Sequence, residues 1–171
     1  MSLADLVGVL QQYTGASAAN APASAQQDFQ KVAGAASQEH IAGGLAEAFR
    51  SDQTPPFPQM LATLFSQSSG QQKAGLLSEL LGSAGIASGA AAGSGLLGSL
   101  SSLLQGGSTV NVQQADQITP DQVQQLAERA QKSNPSIIEQ ASNFYAQHPQ
   151  VVQGLGAGAL ALIMSHLSKK V

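Results

Sequence analysis

From Leu80 to Ala115 the chain carries no formal charge and is written almost entirely in Leu, Gly, Ala and Ser. Such a stretch solvates poorly as a loop, and its glycines weaken it as a helix. It therefore has to touch something: another part of the fold, another copy of the chain, or a lipid-like surface.

Charge is scarce throughout, at 10% of 171 residues against roughly 25% in ordinary soluble domains. Aromatic residues are 4% and Trp is absent, so helices must pack closely through small residues. The net charge of −3 and the scatter of seven Lys and Arg argue against nucleic acid as a partner, which would need a basic patch. With no Cys, disulfides, thiolate chemistry and Cys-based metal sites are excluded. The N-terminus lacks a basic leader and a continuous apolar run, so a cytoplasmic location is expected, with signal-less export as the alternative.

The apolar residues recur at helical spacing between good start signals. Ser2 with Asp5 opens a first helix bearing Leu3, Leu6, Val7 and Leu10. Ser24 with Gln27 opens a second with Phe29, Val32 and Ala36, and Ser37 a third with Ile41, Leu45, Ala48 and Phe49. Thr54-Pro55-Pro56 predicts an N-cap and helix start before Phe57, Met60, Leu61, Leu64 and Phe65. Ser69 with Gln72 precedes Leu76, Leu77, Leu80 and Leu81. A second leucine cluster, Leu96 to Leu104, follows the Gly/Ala/Ser run, and Thr109–Val112 reads as an extended connector. Thr119-Pro120 with Gln122 opens a helix lined by Val123, Leu126, Ala127 and Ala130. Asn134-Pro135 opens the next, with Ile137, Ile138, Ala141, Phe144 and Tyr145. Pro149 opens a last helix running through Val151, Val152, Leu155, Leu160, Ile163 and Leu167.

The expected class is all-α: a multi-helix bundle with a Gly/Ala/Leu-rich central segment and no significant sheet. Three consecutive regions are expected within one cooperative unit: 1–81, 82–116 and 117–171.

No motif for chemistry survives its context. Gly154, Gly156 and Gly158 form a G-x-G-x-G series, but no strand precedes it and no acidic ribose ligand follows. The glycines are better read as permitting close approach of another helix. Val151–Leu167 sits at the lower edge of a membrane-spanning length, and a buried core helix is the preferred reading. His40, His148 and His166 are far apart and lack any acidic pattern of metal-ligand spacing. Neither G-x-S-x-G nor a P-loop occurs. No enzyme, cofactor, metal or small-molecule ligand is therefore expected. Asp28 with Lys31, Glu47 with Arg50 and Glu128 with Lys132 read as exposed helix pairs. Paired glutamines replace charge on the polar faces, and such faces can be buried against another chain without the desolvation cost of an ion.

The run Gln117-Ile-Thr-Pro-Asp-Gln-Val-Gln-Gln-Leu126, with the clusters Leu80-Leu81-Gly82 and Leu96-Leu97-Gly98, resembles the small helical bacterial proteins of the YidB-like kind. The resemblance covers about a third of the chain. It implies a helical bacterial protein of no established activity and transfers no functional residues.

The leading expectation is a structural protein that assembles with copies of itself. The candidate contacts are Leu96, Leu97, Leu100, Leu103 and Leu104, with Gly154, Gly156 and Gly158 allowing close approach. The alternative is a peripheral binder of a lipid or granule surface using amphipathic helices. It is less favoured, because basic residues do not flank those helices.

Overall fold

The computed structural model describes residues 3–83 and 109–170. Ten α-helices and two short 3-10 turns lie among the described residues, with no strand: the fold is all-α. The chain divides into two compact units, Met1–Pro56 with Ser142–Val171, and Phe57–Ala141. These units cut across the three consecutive regions expected above, because residues 57–141 are inserted between two parts of one helical core.

The first unit contains α1 (Leu3–Gln11), a 3-10 turn at Ala18–Asn20, α2 (Ala25–Ala33) and α3 (Gln38–Arg50). It is completed by the end of α8 (Ile137–Ala146), α9 (Pro149–Val152), a 3-10 turn at Gln153–Leu155 and α10 (Ala157–Ser168). Helix α10 is the axis of this unit, packed by α3, α2, α1 and the first 3-10 turn. Ala159, Leu160, Ala161, Ile163, Met164, Ser165 and Leu167 are all buried on it. A helix apolar on nearly every side belongs either inside a core or inside a bilayer; here it is the core. No described helix is long and apolar enough to cross a membrane.

The expected continuous last helix is interrupted. Gly156 adopts φ 87° and ψ 166°, a region essentially closed to residues with a Cβ, and the chain resets there before α10. Close approach explains α3 against α10 instead. A Cβ on Gly44 would lie 2.9 Å from Ile163 Cγ2 and 3.0 Å from the Ile163 carbonyl oxygen.

The second unit contains α4 (Phe57–Gln67), α5 (Gly70–Ser83), α6 (Val112–Asp116), α7 (Pro120–Ser133) and the start of α8. Helix α4 packs on α7, and α5 packs on α6 and α7. Phe57, Met60, Leu61, Leu64 and Phe65 on α4 are buried, as are Leu76, Leu77, Leu80 and Leu81 on α5 and Val123, Leu126, Ala127 and Ala130 on α7.

Several helix starts follow the expected chemistry. Ser37 Oγ accepts from the His40 amide, and Thr119 with Gln122 forms a complete capping box. Ser69 and Gln72 exchange reciprocal bonds at the head of α5. Two starts differ. Thr54 does not cap α4, which begins at Phe57; its buried hydroxyl donates to the carbonyls of Ala48 and Ser51, closing the C-terminus of α3. The end carbonyls of α3 are orphaned otherwise, and a buried hydroxyl needs an acceptor. Ser24 already has helical backbone angles and makes no cap; its hydroxyl donates to Asp28. The expected connector at 109–112 also ends early, because Asn111 and Gln114 form a capping box that opens α6.

Candidate functional site

The five leucines expected to carry self-association, Leu96, Leu97, Leu100, Leu103 and Leu104, lie outside the described residues. The three glycines have separate roles inside the first unit. Gly154 is exposed in a 3-10 turn, whereas Gly156 is required by its backbone conformation, since a Cβ there would have nothing within 4 Å. Gly158 is the close-approach glycine of the series, because its Cβ would lie 3.0 Å from the Ala18 carbonyl oxygen and 3.2 Å from Ala18 Cβ. The approach it permits is to the 3-10 turn of its own chain.

The described residues on either side of 84–108, within the uncharged stretch, meet on one helix. Ser83 is the last described residue of α5, and the Val110 amide donates to Ser78 Oγ of the same helix at 3.2 Å. Ser78 Oγ in turn donates to the Ala74 carbonyl at 2.9 Å. Five residues of helix separate Ser78 from Ser83, or about 7.5 Å along the axis. From Asn111 the chain turns into α6, which packs along α5. Gly70 makes room for it: a Cβ there would stand 2.5 Å from Val112 Cγ1. Lys73 Nζ lies 3.4 Å from Asp116 Oδ1 and 5.5 Å from the centre of the Phe65 ring. Lys73 is the last cation before the uncharged stretch and Asp116 the first ion after it.

Beside this root is an open groove of about 340 Å³ lined by Ser78, Glu79, Gly82, Ser83, Asn134 and Gln140. Its polar groups are partly used already. Ser83 Oγ donates to Gln140 Oε1 at 2.9 Å, and Asn134 Oδ1 accepts from the Ser136 amide at 3.1 Å.

Two polar clusters hold the first unit together, and of their contacts only Asp28 with Lys31 is visible in the sequence. Asp28 Oδ2 accepts from the Tyr13 hydroxyl at 2.8 Å and from Ser24 Oγ at 2.7 Å, while Lys31 Nζ stands 3.5 Å from Oδ1. Burial pushes the Asp28 carboxyl up, but the Ser24 and Tyr13 hydroxyls and the Lys31 charge outweigh it and hold the group below its ordinary range. Burial, with the Asp28 carboxylate beside it, pushes the Tyr13 phenol above its ordinary value despite the opposing Ser24 contact. In the second cluster, Glu47 on α3 meets His166 Nδ1 on α10. The imidazole lies over Gly43, with Nε2 3.2 Å from where that residue's Cβ would be. A ring seated on bare backbone and tied at its other nitrogen acts as an interhelical clasp. Its carboxylate lies 119 residues away in the chain, beyond the reach of any local motif.

His148 stacks edge-on to Phe144, with ring centroids 5.4 Å apart. Among the described residues no group of three or more His, Asp or Glu is placed to hold a metal ion, and no buried side-chain polar atom lacks a hydrogen-bond partner.

Comparison with family models, with curated proteins and with solved structures finds no match to this chain.

Proposed function

We propose that this protein is a non-enzymatic structural element that associates with copies of itself, with the uncharged stretch as the contact and the helical units as the scaffold that presents it. The observation that supports this reading is how completely the described helices bury their own apolar side chains. Val112, 40% exposed, is the single large hydrophobic residue left open on the described surface. A hydrophobic contact between copies therefore has to draw on residues elsewhere in the chain. The densest such set is Leu96, Leu97, Leu100, Leu103 and Leu104. Low charge density keeps repulsion between copies small, and the glutamine-rich polar faces come together at little desolvation cost.

The test is the solution mass of the full chain by light scattering on a sizing column, with imaging of any large species. An assembly that collapses toward the 17.3 kDa protomer on Leu97→Glu with Leu100→Glu supports the reading. A wild-type chain that elutes as a clean monomer at high concentration overturns it. Flotation of that monomer with liposomes or hydrophobic granules would then move the contact to a lipid-like surface.

A further inference from the structure

One residue interrupts what the sequence would otherwise make a continuous last helix. Val152 and Gln153 have helical backbone angles, and between Pro149 and Ser168 only Gly156 has a positive φ. Turning that φ from 87° to the helical value near −63° joins α9, the 3-10 turn and α10 into one helix about 30 Å long. The same change redirects everything beyond Gly156. From this geometry we propose that α10 is exchangeable between copies: Gly156 is the hinge, and the surface formed by α1, α2 and α3 takes the α10 of a second copy of this chain. This route to association uses none of the five leucines and stands apart from the contact proposed above.

The fit of that surface is given by the way α10 fills it in its own chain. Leu160, Ile163, Met164 and Leu167 are buried on α10, Gly44 admits Ile163, Glu47 meets His166 Nδ1, and Gly158 rests on Ala18. Exchange remakes each of these contacts between copies. They therefore cancel from the balance, and their strength sets the barrier to exchange rather than its direction. What decides the direction is the hinge, against the entropy of pairing.

In the closed chain the hinge holds a conformation that glycine alone adopts readily. In the exchanged pair Gly154 and Gly156 lie inside a helix, where each glycine disfavours the helical form about five-fold relative to alanine. Glycine at 156 thus favours the closed monomer twice: it tolerates the turn and it weakens the helix. Alanine there inverts both effects. A Cβ at 156 meets nothing within 4 Å, so crowding does not enter.

Gly156→Ala should shift the balance toward exchange at least about 25-fold per protomer, five-fold from the helix and five-fold or more from the turn. The test is to unfold the full chain in urea, refold it at high or low protein concentration, and measure its mass by light scattering on a sizing column. Refolded at high concentration, Gly156→Ala is expected to give a dimer of twice the 17.3 kDa protomer in far greater yield than wild type. Separation requires α10 to leave its surface, so the dimer should persist for hours after dilution. It should return to monomer when unfolded and refolded dilute. The same dimer should form with Leu97→Glu and Leu100→Glu added, which separates exchange from the leucine contact. Gly154→Ala, at an exposed position of negative φ, changes the helix effect alone and should favour exchange about five-fold per protomer. It carries the test should Gly156→Ala fail to fold. Variants that give no more dimer than wild type would overturn the exchange. So would a dimer that falls apart at once on dilution, or one lost with Leu97→Glu and Leu100→Glu.

Discussion

Replacing Gly44 by Ala should destabilise the first unit although alanine is the better helix former. The two effects have opposite signs and separable sizes. In a helix interior the change from Gly to Ala is worth up to about 1 kcal/mol in favour of the folded state. Against this, the new methyl would stand 2.9 Å from Ile163 Cγ2, 3.0 Å from the Ile163 carbonyl oxygen and 3.3 Å from Ile163 Cα. Two of those atoms are backbone of α10, which is enclosed by α1, α2 and α3, so they cannot swing aside as the end of a side chain would. Overpacking of this sort costs about 1–3 kcal/mol. Because the obstacle is backbone, the upper part of that range, about 2–3 kcal/mol, applies, and the net expectation is a loss of about 1–2 kcal/mol, or a fall in Tm of about 2–8 °C for a chain of this size.

The molecule supplies its own probe for the measurement. It has no Trp, and its two tyrosines, Tyr13 and Tyr145, are both fully buried in the first unit. Tyrosine fluorescence during thermal melting therefore follows that unit alone. Two neighbouring substitutions calibrate the result. Gly8→Ala on α1 meets nothing within 4 Å and should raise Tm by its helix propensity. Gly43→Ala meets only the His166 ring, at 3.2 Å, and should fall between the two because a side chain yields where backbone does not. A Gly44→Ala protein that melts at or above wild type, with Gly8→Ala behaving as expected, would refute the tight α3–α10 contact.

Further outcomes follow from the polar chemistry of the same unit and from Gly156. The folded Asp28 carboxyl lies below its unfolded value near 4, so its stabilisation is complete above about pH 4 and is lost as pH falls through the folded value. Asp28→Asn should flatten the acid limb of Tyr-monitored stability between about pH 2 and 5, and an unchanged limb would dismiss the cluster as its cause. The raised Tyr13 phenol works at the other edge: its contribution is full below about pH 10 and fades above it, a loss that Tyr13→Phe should remove. Gly156→Ala should cost about 1–3 kcal/mol from backbone strain alone, since φ 87° with ψ 166° is closed to alanine and no neighbour crowds the site. Gly158→Ala supplies the comparison in the same melting assay, being limited by contact with Ala18 and not by its own backbone.

Helix identity is readable in this chain because its signals are local. Thr119 and Gln122, Ser69 and Gln72, and Ser37 before His40 settle helix starts with groups three residues apart. The α4 stripe from Phe57 to Phe65 needs only its own spacing to declare which face is buried. The misreadings occur where a residue with local capping chemistry has a stronger distant or flanking partner. Thr54 turns back to the end of α3, and Ser24 turns to a carboxylate that Tyr13 also claims. Asn111 is the reverse case. It repeats the three-residue pattern with Gln114 that opens α5 and α7, but the valines on either side give the segment a strand-like look. The grouping of helices is not readable, because nothing local tells a helix that an insertion of 57–141 separates it from the core it joins.

The same distinction explains why the series Gly154, Gly156 and Gly158 misleads as a motif. Three alternate glycines suggest one function, but a glycine is chosen for either of two unrelated reasons: a dihedral angle no other residue tolerates, or a neighbour too close for a methyl. Gly156 answers the first and Gly158 the second, while Gly154 faces solvent. Gly44 and Gly70, which stand in no such series, admit neighbours closer than Gly158 does. A surface for the proposed self-association is therefore not to be sought in glycine spacing. It is to be sought where apolar side chains remain uncovered after the helices have closed on themselves. Among the described residues that condition is met at Val112 alone, at the root of the uncharged stretch.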